Sequence, residues 1–153
     1  MRTLENWLDE YSQSHQNKVN QAIHRVCVPL IFFSLLGMLW TVSLGTLNLA
    51  LLVAVVLFPF YIRLGAKAVL IVSPQLIVSF LILYWWQHHQ ESSQIFFSCL
   101  GIFAGAWIGQ FIGHKIEGKK PSFFKDLQFL LIGPLWVFKK KPPGNPRGFL
   151  SFH

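Results

Sequence analysis

Three of the six histidines in this sequence, His15, His24 and His114, stand among residues that could serve a metal. Gln110, His114 and Glu117 are spaced i, i+4, i+7, which at about 100° per residue puts all three within a ~60° arc of one helix. Asn17, Asn20 and His24 share a helical face in the same way. Three imidazoles with a carboxylate in reach suit a first-row transition metal, because that donor set accommodates iron, zinc and manganese. The same residues could instead form a buried hydrogen-bond network tying two helix ends together, since unpaired polar groups in an apolar setting are costly. Spacing alone leaves both open. His15 is the awkward member: it lies nine residues before His24, about 180° round a continuous helix. The two meet only if the chain breaks between them. The run Ser12-Gln13-Ser14-His15-Gln16-Asn17 has the composition for such a break, poor in helix formers and rich in capping residues. Pro29 follows five residues after His24 and suits the opening turns of a helix.

The elements that must position these groups are apolar. Of 153 residues, 53% are hydrophobic and 12% charged, with a mean hydropathy of +0.47. A soluble domain carries about 25% charged residues, so this chain lacks the polar surface of a water-facing globule and is expected in a membrane. Gly 11, Cys 2 and 16% aromatics exclude collagen-like, disulfide-framework and disordered classes. The net charge of +7 sits in clusters flanking apolar segments, which reads as an orientation signal and not as a nucleic-acid surface. Cys27 and Cys99 have no metal spacing and are expected near opposite faces of the bilayer. The first 25 residues carry no signal-peptide core, so the N-terminus is expected to be kept.

From Val26 to Ile62 runs a stretch of 37 residues without a charge, about 55 Å as one helix. A hydrocarbon core is about 30 Å thick, so two spans are expected, 26–45 and 47–62, reversing at Gly45-Thr46-Leu47-Asn48. A third, 68–86, carries Pro74 as a kink and ends in an interfacial Trp85-Trp86 belt. The fourth is 95–113, where Gly101, Gly105, Gly109 and Gly113 form a stripe for close helix packing. The apolar run 127–138 is too short to cross and reads as re-entrant or interfacial. All thirteen Lys and Arg fall before residue 26, at 63–67, at 115–125 and at 139–147. Four spans put them all on one face, the cytoplasm by the positive-inside rule. The expected fold is therefore one all-α membrane bundle, with a cytoplasmic segment 1–25, a cytoplasmic loop 114–126 and a basic tail 139–153. Leu4, Trp7, Leu8 and Tyr11 add an amphipathic helix on the cytoplasmic interface. This sidedness gathers His15, His24, His114, Glu117 and Asp126 at the cytoplasmic ends. His88 and His89 fall at the other end as solvated loop residues, and His153 is a terminus.

At these residues the sequence resembles the membrane 2-hydroxy fatty acid dioxygenases, a family that acts in phytosphingosine degradation in the fungal endoplasmic reticulum and has bacterial relatives. Its first motif is similar to Tyr11, His15, Asn20, His24 and Pro29. Its second is similar to Trp107, Gln110, Gly113-His114, Glu117 and Pro121, and a following element to Gly133-Pro134-Leu135-Trp136. Ser122, where an Ala is common, and Lys139-Lys140-Lys141, in place of a tail that often carries a Glu, depart from the pattern.

The resemblance implies Fe(II)-dependent α-oxidation, in which a 2-hydroxy fatty acid and O2 give a fatty acid one carbon shorter. It implies His15, His24 and His114 as iron ligands, Glu117 as a fourth ligand or an acceptor fixing an imidazole, Asn20 and Gln110 as hydrogen-bond partners, and Tyr11 as a contact to substrate or ligand. Arg25, Lys115 and Lys119 could draw in the carboxylate. The host is a bacterial inner membrane or the endoplasmic reticulum. Two competing readings are a non-catalytic membrane protein with a structural polar network, and a zinc-dependent membrane hydrolase with Glu117 as base. The second is weakened because no His-Glu-x-x-His motif is present.

Overall fold

The computed structural model describes residues 4–13, 15–118 and 131–138. Its elements are α1 (Leu4–Gln13), α2 (Lys18–Trp40), β1 (Ser43–Leu44), β2 (Leu47–Asn48), α3 (Leu49–Leu64), α4 (Ala66–Gln87) and α5 (Ser92–Glu117). Residues 131–137 add a short helix. Local chemistry sets several of the ends. The Asn17 side chain accepts from the N–H groups of Val19 and Asn20 and so starts α2, and Asn48 does the same for α3 with Ala50 and Leu51. Gly65, at φ 104°, is the single residue linking α3 to α4, a backbone angle that a side chain would strain. Gly118, at φ 73°, closes α5 by donating its N–H to the carbonyls of His114 and Lys115.

Among the described residues three helices, α2, α4 and α5, are long and apolar enough to cross a membrane. The expectation of four is met only in part, because α3 has 16 residues, about 24 Å at 1.5 Å per residue. The expected span 47–62 has the same length, and the reversal moves the helix two residues along the chain. The charge-free stretch gives up residues 41–48 to a turn and a two-stranded ribbon, with Ser43 opposite Asn48 and Leu44 opposite Leu47. Helix α2 therefore stops at Trp40, while its polar start at Lys18 carries it well before Val26. Pro29 consequently lies inside the helix and not in its opening turns. Large apolar side chains such as Val55, Leu70, Ile77, Leu81, Phe97 and Ile108 are exposed, the surface expected where lipid and not water is the neighbour.

Helix α2 packs chiefly on α5, and the glycine stripe divides unequally along that contact. A Cβ on Gly109 would stand 2.7 Å from Cys27 Sγ, and one on Gly113 would collide with Asn20 Oδ1, whereas Gly101 and Gly105 have open space before them. Only the half of the stripe near the C-terminus of α5 faces α2. Cys27 and Cys99 are both free and buried, Cys99 against Gly37 well away from Cys27.

At that same end α1 and the 131–137 helix close the bundle. Leu4, Leu8 and Tyr11 share one cluster with Tyr61, Ala68, Val72, Ile132, Leu135 and Trp136. The apolar stripe of α1 thus covers protein, a role periodicity cannot tell from lying on headgroups because both partners are apolar. The 131–137 helix is pinned from the membrane helices: Tyr61 Oη donates to the Leu131 carbonyl at 3.1 Å and Gln75 Nε2 to the Pro134 carbonyl at 3.3 Å. Residues 127–130, the loop residues Lys119, Pro121, Ser122 and Asp126, the tail 139–153 with Lys139-Lys140-Lys141, and His153 lie outside the described residues.

Candidate metal centre

The chain leaves the helix after Gln13 and re-enters it at Lys18, so His15 belongs to neither α1 nor α2. Freed from the helical angle, its ring turns back onto α2. Ring centroids lie 4.3 Å apart for His15 and His24, 5.0 Å for His24 and His114, and 5.5 Å for His15 and His114. All three side chains are buried, and one ligand nitrogen from each lies within 4.8 Å of the others.

Two of the rings have a defined orientation. His15 Nδ1 bonds to the Tyr11 carbonyl at 2.8 Å and His24 Nδ1 to the Asn20 carbonyl at 3.0 Å. A carbonyl only accepts, so each neutral ring carries its proton on Nδ1 and keeps its lone pair on Nε2. Backbone acceptors of this kind commonly fix metal-ligating imidazoles. His24 Nε2 is buried with no hydrogen-bond partner among the described residues, an arrangement costing about 1–3 kcal/mol unless something accepts it. A divalent cation would. Two nitrogens each about 2.1 Å from one metal lie about 3 to 3.5 Å apart, so the three residues fit a first-row ion after a small inward movement of the rings.

Glu117 lies one turn beyond His114 and points at the start of α2. Its Oε1 accepts from the Gln16 N–H at 2.9 Å, and its Oε2 from the Asn17 N–H at 2.9 Å and from Asn20 Nδ2 at 3.0 Å. Both carboxylate oxygens are thus engaged by protein donors. Asn20 is fully buried, and a Cβ on Gly113 would collide with its Oδ1, so α2 and α5 approach this closely only because residue 113 is glycine. Gln110 is buried one turn before His114. Arg25 and Lys115 are exposed at this end.

An aromatic wall closes the centre on the side of α1. Tyr11 stacks on His15 with centroids 4.2 Å apart and planes 5° from parallel, and Trp136 leans on both, at 4.8 Å from Tyr11 and 5.5 Å from His15. The indole Nε1 donates to Ser12 Oγ at 3.0 Å, and that hydroxyl donates to the Leu8 carbonyl at 2.7 Å. Neither the Ser12 bridge nor the contact of Trp136 with His15 could be inferred from spacing. The available signal was a tryptophan, with its one polar N–H, at the end of a short apolar run.

His88 and His89 follow the last turn of α4 at the opposite end and are exposed. There Trp40 Nε1 donates to Gln87 Oε1 at 2.7 Å, joining the far ends of α2 and α4.

The chain matches the family described as 2-hydroxy-palmitic acid dioxygenase Mpo1-like over residues 1–141. It is 31% identical over 137 residues to the 2-hydroxy-palmitic acid dioxygenase MPO1 of Saccharomyces cerevisiae, covering 88% of this chain and 76% of the yeast protein. No solved structure matches it. The match takes in the helices, the break at His15 and the short helix bearing Trp136, and the chain belongs to the 2-hydroxy-palmitic acid dioxygenase Mpo1-like family.

Proposed function

We propose that this protein is an Fe(II)-dependent dioxygenase that converts a 2-hydroxy fatty acid and O2 to the fatty acid one carbon shorter, with His15, His24 and His114 holding the iron. The observation that carries the reading is the convergence of three buried imidazoles, two with their Nδ1 tied to backbone carbonyls, in a chain of this family. Ferrous iron, when bound, supplies electrons to O2 and an open face on which an α-hydroxy carboxylate can chelate. The protein's own part is placement and exclusion. Tyr11 and Trp136 shield the His15 ring from water, and the fixed Nδ1–H tautomers turn Nε2 inward. Asn20 and Gln110 supply polar contacts beside the rings. Arg25 and Lys115 at the rim favour the approach of a carboxylate, while the apolar helix faces keep the acyl chain in lipid.

Iron per protein, measured after anaerobic purification beside O2 consumption with 2-hydroxypalmitate, tests the reading. Near-stoichiometric iron with substrate-dependent O2 uptake is expected. Zinc in its place supports a hydrolase, and no metal supports a structural network.

The bundle lies with both termini on the cytoplasmic side, as the one-sided distribution of Lys and Arg supports. Impermeant thiol labelling of intact cells should modify Ser92→Cys and spare Lys115→Cys, with Cys27 and Cys99 both buried and unreactive. Labelling of Lys115→Cys would reverse the orientation.

A further inference from the structure

His15 is the one member of the triad outside a helix, so something other than a helical hydrogen-bond ladder must hold it. Its backbone N–H donates to the Ser12 carbonyl at 3.2 Å. The peptide that follows is gripped at both ends: Gln21 Nε2 donates to the His15 carbonyl at 2.8 Å, and the Gln16 N–H donates to Glu117 at 2.9 Å. Gln21 comes from α2, the helix of His24, and Glu117 from α5, the helix of His114. The clamp therefore references His15 to both of its partners.

Glu117 is also badly placed for its own helix. It is the last residue of α5, where the macrodipole disfavours an anion by a few tenths to about 1 kcal/mol. The same carboxylate lies at the start of α2, where N–H groups are unsatisfied and negative charge is favoured. A residue that offends its local element while satisfying a distant one is more informative than a generic surface acid.

We propose that Glu117 is a positioning residue and not a metal ligand: its carboxylate holds the 15–17 turn against α5 and so presents His15 to the centre formed with His24 and His114. This rests on the three-histidine centre of the preceding reading. With both oxygens engaged by the Gln16 and Asn17 N–H groups and Asn20 Nδ2, the carboxylate acts on the metal only through His15.

Co(II) titration of the metal-free full-length protein in detergent, followed by its visible bands, gives the test. Glu117→Gln keeps the side chain's size but loses acceptor capacity, and it should weaken Co(II) binding about 10- to 100-fold, as loss of groups that orient ligands does. In a His15→Ala background the same change should weaken binding no further. An equal loss in both backgrounds would make Glu117 a direct ligand or a general structural support, and no loss in either would leave the clamp without a role. Gln21→Leu releases the other end of the same peptide and should show a smaller loss with the same dependence on His15, which serves if Glu117→Gln does not fold. Wild-type protein that binds no Co(II), or binds it undiminished after His24→Ala, removes the centre itself and is thereby distinguished from failure of the clamp alone.

Discussion

The two ends of the bundle carry the same local histidine motif with opposite results. At the far end His88 Nδ1 bonds to the carbonyl of Tyr84 and His89 Nδ1 to that of Trp85, each at 2.8 Å and each ring against the aromatic side chain four residues back. At the near end His15 does the same with Tyr11. An aromatic residue followed four positions later by histidine is therefore sufficient to orient an imidazole and insufficient to make a site. His88 and His89 stand in the open at a helix end, whereas His15 is enclosed by Trp136 and by the rings of His24 and His114. Convergence of three imidazoles in a buried place is what separates the two ends.

Replacing the near-end ligands should have the largest effect. His24→Ala and His114→Ala are expected to reduce turnover below a hundredth of wild type and to remove iron, more than the about 10- to 100-fold that changes around a ligand cost. Metal analysis beside O2 uptake reads both; retained iron in either variant would erase the distinction between the ends.

The glycine stripe offers a second contrast. Gly113→Ala drives a Cβ into Asn20 Oδ1 and to 3.3 Å from His24 Cε1, and overpacking of this kind costs about 1–3 kcal/mol. Gly105→Ala meets open space and should be neutral or gain up to about 1 kcal/mol of helix propensity. Thermal unfolding in detergent compares the pair, and equal melting temperatures would mean that α2 does not approach α5 more closely at Gly113.

Trp136→Phe keeps an aromatic ring on His15 but loses the bond to Ser12 Oγ, which is worth about 1 kcal/mol. A lowering of the melting temperature matching that loss, with iron retained, is expected; full loss of iron would make the indole N–H part of the centre. The smallest effect belongs to the far end. His88→Ala and His89→Ala should leave iron and turnover within about twofold of wild type, because exposed substitutions away from packed features stay within about 0.5 kcal/mol. Inactive but well-folded variants would move the chemistry to the other face.

Much of the scaffold was legible because its signals are sums over neighbours. Hydropathy marked the apolar stretches, Asn17 and Asn48 capped helices at the polar interruptions, and the capping-rich run from Ser12 to Asn17 coincided with the break between α1 and α2. The bounds of α3 were not legible to the residue: the expected span 47–62 and the observed helix Leu49–Leu64 have the same length but are offset by two, since a charge-free stretch does not say where its reversal ends. Nor was the use of the glycines, because a repeat every four residues does not state which portion meets a neighbour. The apolar face of α1 could be found but not its partner, the 131–137 helix lying more than a hundred residues away.

By itself the sequence determined that the chain is apolar enough for a membrane, that its ionisable residues gather at helix ends, and that His15 could meet His24 only through a broken helix. These follow from composition and from the helical angle, which need no knowledge of the fold. The tertiary structure decided which groups meet and what each is left to do. It brought α5 onto α2 so that three imidazoles converge, and it set Trp136 against His15. It also spent both oxygens of Glu117 on the turn that carries His15. Hydrogen bonds and ring contacts act over a few ångströms, and partners a hundred positions apart acquire that proximity only when the helices pack.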